Sequence, residues 1–233
     1  MWIVHREWIM SSYVLGQEDP KYIIDAGSGE WCSAEHFSNE LYHYKSYLEK
    51  WIEGSFYLKF RYPLARDNLL HYLGDSGEDV YFNLNDMMSK SRQLRDNYIK
   101  ELNAARLFCQ TLPPGQHYFT SSRVSKDDFI SSDPDLFYAV GGYQYWGKGY
   151  VSITEGIGEN NLHYRDRLCS YELKFQFKFF DRYNWNIKVA DSGVRLGSII
   201  PVSDSFMGQF HQQCLAREYN IFGTIESEDK WHD

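Results

Sequence analysis

Asp204, His211 and Glu218 recur at an interval of seven near the C-terminal end of this 233-residue chain. On a helix that spacing returns each side chain to nearly one face, where an imidazole between carboxyls could shuttle protons or form half of a metal site. Seven residues also span about 10 Å of helix, too far for direct hydrogen bonds between these side chains. Helical metal sites set their ligands four apart. The favoured reading is therefore structural: Asp204 caps the helix, His211 lies at the core's edge, and Glu218 pairs with a nearby base. The acidic glycine loop Gly74–Asp79 lacks the ligand series of an EF-hand and the lysine of a phosphate-binding loop. No Gly-x-Ser-x-Gly, Gly-x-Gly-x-x-Gly or cysteine–histidine signature occurs. Cys32, Cys109, Cys169 and Cys214 are too scattered for a structural zinc site. Neither metal nor cofactor is expected. Two disulfides would suit an oxidising compartment, but buried free thiols are the expectation.

A second constellation reads in chain order as Arg61, the triplet Thr120-Ser121-Ser122, and Glu226-Ser227-Glu228. An arginine, a hydroxyl triplet and a Glu-x-Glu pair in that order resemble arginine-type ADP-ribosyltransferases. The resemblance implies that Arg61 and Ser121 hold the nicotinamide nucleotide and that Glu228, the last residue of the pair it forms with Glu226, stabilises an oxocarbenium centre. The long stretch between triplet and Glu pair departs from that family. The aromatic, glycine-rich segment Tyr143, Tyr145, Trp146, Tyr150 could stack sugars or meet a membrane interface, with core packing the leading alternative.

The elements that must position these residues centre on Tyr171–Asp181 (YELKFQFKFFD). Tyr171, Leu173, Phe175, Phe177 and Phe179 share one side, and Glu172, Lys174, Gln176 and Lys178 the other. That period of two specifies a strand with one dry face. Further strands are expected over 118–122, 136–143 and 143–154, and a short extended piece over 56–60. Helices are expected from Ala34 (capped by Ser33) to Gly54, from Pro63 to Leu73, from Asn85 to Gln110, and from Ser203 or Asp204 to Tyr219. A short final strand and a charged end complete the chain. The order predicts an α+β fold: a mainly helical N-terminal half, an antiparallel sheet, then a C-terminal helix, all sharing one core. One domain is expected over 1–233, with a sub-boundary near 113–115 as the alternative.

Apolar residues make up 43% and aromatics 18%, which excludes a disordered chain. The net charge of −8 argues against nucleic acid as the main partner. The N-terminal stretch interrupts its apolar residues with Arg6 and Glu7, unlike a signal peptide, and no apolar run reaches the ~20 residues of a membrane helix. The expectation is synthesis in the cytoplasm, with any export bypassing a cleaved leader.

Three blocks, LHYLGDSGEDVYFNL (70–84), FFDRYNW (179–185) and FMGQFHQQCLAREYNIFG (206–223), resemble those of small antibacterial effectors of the type VI secretion system and of C-terminal toxin domains in polymorphic toxins. The resemblance implies delivery by a secretion apparatus, action at the target cell's inner membrane or periplasm, and neutralisation by a cognate immunity protein. Some such proteins form ion-selective pores, which makes non-enzymatic depolarisation the first expectation. Leu173, Phe175, Phe177 and Phe179 would then meet lipid while Lys174 and Lys178 line water. The amphipathic helix 85–110 is the alternative spanning element. In the resting state both stripes are expected to close the core. An enzymatic toxin and a non-toxic interaction module, such as an immunity or adaptor protein, are the other two readings.

Overall fold

In the computed structural model, which describes residues 12–126, 133–156, 168–187, 194–196 and 200–232, the Tyr171–Asp181 pattern lies at the heart of a sheet. The strands are β1 (Tyr13–Leu15), β2 (Val80–Phe82), β3 (Gly115–Ser121), β4 (Val124–Lys126), β5 (Tyr143–Glu155), β6 (Cys169–Tyr183), β7 (Val194–Leu196), β8 (Ile200–Val202) and β9 (Tyr219–His232). Seven of them form one sheet in the order β1-β3-β5-β6-β9-β2, with β4 also on β5, and β7–β8 stand apart as a pair. The sheet is antiparallel except for β2, which runs parallel to β9. The class is α+β with a mixed sheet, and the chain closes on a strand rather than a helix.

On β6 the odd positions from Tyr171 to Phe179 are all buried. Tyr98 of α5 (Arg92–Cys109) packs its ring edge-on against Phe177 at 5.8 Å, so the helical layer covers this face. Two glycines of β5 make room for that packing. A Cβ on Gly149 would sit 2.5 Å from the Phe119 ring, and one on Gly147 would sit 2.8 Å from the Phe175 ring. The opposite face is partly covered by the segment 16–25. There Asp19 meets Lys148 at 3.1 Å, Lys178 at 3.2 Å and the Trp146 indole N–H at 3.2 Å, while Tyr22 stacks on Phe180 at 4.0 Å.

Several local expectations are corrected. Residues 56–60 are not extended: α2 (Phe56–Arg61) forms because Ser55 caps the Leu58 amide. The first helix, α1 (Asn39–Gly54), starts five residues later than Ala34 and is capped by Ser38. Between Pro63 and Leu73 lies α3, as expected. The expected long helix is two, α4 (Leu84–Lys90) and α5, broken at Ser91, whose extended backbone ends one and whose hydroxyl caps the next. Residues 136–143 divide into α6 (Pro134–Val140) and the start of β5. Asp133 caps α6, and Gly141 ends it at φ +64°, a conformation that β-carbons resist. The last helix, α7 (Asp204–Gln212), stops seven residues short of Tyr219, and its cap is Ser203, not Asp204. The tail is a fourteen-residue strand. Finally, Cys32 and Cys214 form a disulfide, against the expectation of free thiols, while Cys109 is free and buried. Residues 1–11, which hold the stretch read as unlike a signal peptide, lie outside the described residues.

One apolar core contains Leu48 and Leu94 from before Pro113–Gly115 and Phe175 and Ile225 from after it. No described helix is long and apolar enough to cross a membrane.

Candidate cleft at the end of strand β6

Continuing the β6 alternation past Phe179 puts Asp181 on the dry side of the sheet. The structure buries it there, and its Oδ2 has no hydrogen-bond partner among the described residues. Burial, with a smaller contribution from nearby Asp25, raises the Asp181 pKa well above the usual carboxylate range, although the Arg182 amide opposes this. Tyr183 and Tyr219 stack at 5.1 Å, and burial, reinforced by Asp181, pushes both phenols upward. A neutral carboxyl inside a protein can donate a proton at neutral pH, which an exposed aspartate cannot.

Asp181 lines a polar cleft of about 440 Å³, shared with Asp25, Lys126, Gln144, Arg182, Asn184 and Asn186. Each wall has a local cause. The Gln144 side chain pairs with the backbone of Ile23 at 2.8 and 2.7 Å, which holds the segment carrying Asp25 against β5. Asn184 donates to Asp25 Oδ1, and Asn186 donates to Oδ2 at 3.2 Å. Arg182 donates to Asn220 at 3.1 Å and approaches Glu218 Oε2 at 3.6 Å. Past Gly141, and sharing Arg182 and Asn184, lies a smaller apolar hollow of about 190 Å³ walled by Leu69, Phe137, Tyr138 and Trp185. The Trp185 indole N–H is also buried without a partner among the described residues.

His211 and Glu218 do meet, behind the cleft. Glu218 Oε1 accepts the amides of Ser28 at 2.8 Å and Trp185 at 3.1 Å. The Glu218 amide donates to His211 Nδ1 at 3.1 Å, so Nε2 carries the proton and donates to the Gly29 carbonyl at 3.2 Å. Gly27, at φ +48°, leaves space for the Glu218 carboxyl. Burial lowers the His211 pKa despite the pull of Glu218. With both ring nitrogens occupied, the pair is a clasp. Asp204 is not in it and instead lines the apolar hollow.

The other constellation is not assembled. Ser121 is buried, and its hydroxyl accepts the Gly147 amide at 2.8 Å. Glu226 bonds Gln176 at 2.8 Å, and Glu228 faces Lys174 at 3.7 Å, on the open face of the sheet. Strands β3 and β9 are separated by β5 and β6, a gap of roughly 14 Å. Arg61 is exposed at the end of α2. Leu173, Phe175, Phe177 and Phe179 are core, while Lys174 and Lys178 lie on the opposite face. Among the described residues no cluster of three or more His, Cys, Asp or Glu could hold a metal ion.

The three blocks of sequence converge on this region. The Tyr72 hydroxyl donates to Met207 O at 2.7 Å, the Arg217 amide donates to Tyr72 O at 3.0 Å, and Tyr72 packs on Tyr183 at 5.9 Å. Asp181, Asp25, Asn184 and Asn186 are the cleft residues that motif reasoning passes over. The available signal was a carboxyl occupying a dry position of the strand register.

No family model matches the chain, and no curated protein matches it. Among solved structures, PaeM, a colicin M-like bacteriocin produced by Pseudomonas aeruginosa, is similar with a TM-score of 0.35 and 13% identity. The match covers 73% of this chain and 51% of PaeM, so the chain spans about half the length of that protein. A likeness at this level assigns neither family nor activity.

Proposed function

We propose that the protein is an enzymatic antibacterial effector that performs acid–base hydrolysis or group transfer in the cleft at the end of β6. The observation that carries the enzymatic part is Asp181, a buried carboxyl with raised pKa and an unpartnered oxygen lining a polar cleft. In this reading Asp181 protonates a leaving group, Asp25 accepts a proton from the attacking group, and Arg182 and Lys126 hold an anionic substrate. The apolar hollow beside the cleft suits a substrate with an apolar part next to its anionic one. The effector part rests on the three sequence blocks, two of which, 70–84 and 206–223, pack around the third, which carries Asp181. Action at a target cell's inner membrane or periplasm, delivery by a secretion apparatus and a cognate immunity protein belong to the same proposal.

Pore formation is the less economical reading, because Leu173, Phe175, Phe177 and Phe179 would all have to leave the core. The test is expression directed to the periplasm, comparing wild type with Asp181→Asn and following growth and membrane potential, with and without the neighbouring reading frame. Loss of toxicity in a folded Asp181→Asn protein is expected. Undiminished toxicity of that variant, or depolarisation that precedes growth arrest, would remove the enzymatic reading.

A further inference from the structure

The helix α2 is exposed at five of its six positions, and Leu58 alone anchors it to the core. Phe56 is 76% exposed, Tyr57 51% and Phe60 73%. Phe56 and Phe60, one turn apart, stack on each other at 6.0 Å. Lys59 and Arg61 project from the same short helix, which carries no acidic residue although the chain as a whole has a net charge of −8. Of the acids nearest in sequence, Asp67 is paired with Arg66 at 2.8 Å, and Glu53 lies in the last turn of α1, which ends at Gly54.

From this arrangement we infer that α2 docks the protein onto an anionic bilayer surface. Exposed rings interleaved with cations are the pattern of an element lying in the interface plane, with rings at the acyl boundary and cations among the headgroups. A protein partner fits less well. Stable protein interfaces bury about 800 Å² per side, more than six residues offer, and lysine is depleted at their centres. The location adds a second argument. Tyr57 contacts Tyr62 at 5.6 Å, Tyr62 contacts Tyr138 at 5.3 Å, and Tyr138 walls the apolar hollow beside Asp181. An unbroken aromatic path thus runs from the docking face to the hollow. The inference stands on α2 alone and does not need the chemistry proposed for the cleft.

The test is co-sedimentation of the full chain with vesicles of phosphatidylethanolamine and phosphatidylglycerol, against vesicles of phosphatidylcholine, at low and high salt. Wild type should sediment with the anionic vesicles only, and less at high salt. The double variant Lys59→Glu/Arg61→Glu should weaken that binding by at least about 30-fold, from the loss of two surface cations. Phe56→Ser/Phe60→Ser should abolish it. All four side chains are exposed and Leu58 is kept, so circular dichroism should show an unchanged fold. Asp181→Asn should bind as wild type does, which separates failure of docking from failure of the cleft reading. The inference is overturned if wild type ignores anionic vesicles, if it binds phosphatidylcholine equally, or if the variants bind unchanged. A wild-type dimer dissolved by Phe60→Ser would also overturn it, by assigning the face to a second copy of the chain.

Discussion

The backbone N–H of Glu218 donates to Nδ1 of His211 across 3.1 Å, although seven residues separate them. A continuous helix would hold these side chains about 10 Å apart along its axis. They meet because α7 ends at Gln212 and the chain turns at Cys214, whose backbone is left-handed (φ +60°), before β9 begins at Tyr219. The meeting ties three distant parts together: the loop at Ser28–Gly29, Trp185 just past the end of β6, and the start of β9.

Glu218→Ala should destabilise the protein by about 3 kcal/mol, because two amides lose their acceptor inside the protein. Glu218→Gln keeps one accepting oxygen and should cost less. Denaturant melts of both variants check the order, and equal losses would contradict it.

His211 adds an acid-side dependence. Its folded pKa is lowered from 6.5, so below pH 6.5 the unfolded chain binds a proton that the folded chain refuses. Stability should therefore fall as pH drops from 6.5 toward the lowered native value, by up to about 1.4 kcal/mol per pH unit. Subtracting the curve of His211→Gln from that of wild type isolates this contribution. Parallel curves would show that the ring does not titrate differently on folding.

Asp181 acts in the opposite sense. Its folded pKa lies well above 3.8, so as pH rises past 3.8 the unfolded chain releases a proton that the folded chain keeps. Stability should fall as pH rises through that window. Asp181→Asn cannot titrate, so its stability relative to wild type should grow as pH rises above about 4, by at most about 1.4 kcal/mol per unit. A constant difference would mean that the carboxyl is not held neutral.

The Cys32–Cys214 disulfide closes a span of 182 residues next to the clasp. Reduction should cost about 2–5 kcal/mol and lower the melting temperature. Cys214→Ser should melt at the lower temperature with or without reductant. A wild type indifferent to reductant would rule out the bridge as a stabilising link.

Alternating hydrophobicity by itself determined the central strand of this core. Tyr171, Leu173, Phe175, Phe177 and Phe179 can share one dry face only in an extended chain, and β6 is extended. Of the helical stripe Leu84, Met87, Met88, Leu94, Tyr98, Leu102, Ala105 and Cys109, five are buried and Met88, Tyr98 and Leu102 half-buried, even though Ser91 divides the helix, while Glu101, expected off that face, is buried as well. Short elements were less readable, because α2 and α6 are set by single caps, Ser55 and Asp133, that override the local alternation. The meeting of Glu218 with His211, and the placing of Asp181 and Asp25 in one cleft, was not in the sequence at all. Periodicity records which side of an element is dry, but the shared cleft of residues 25 and 181, or the hydrogen bond between 28 and 218, exists only once the whole sheet has formed.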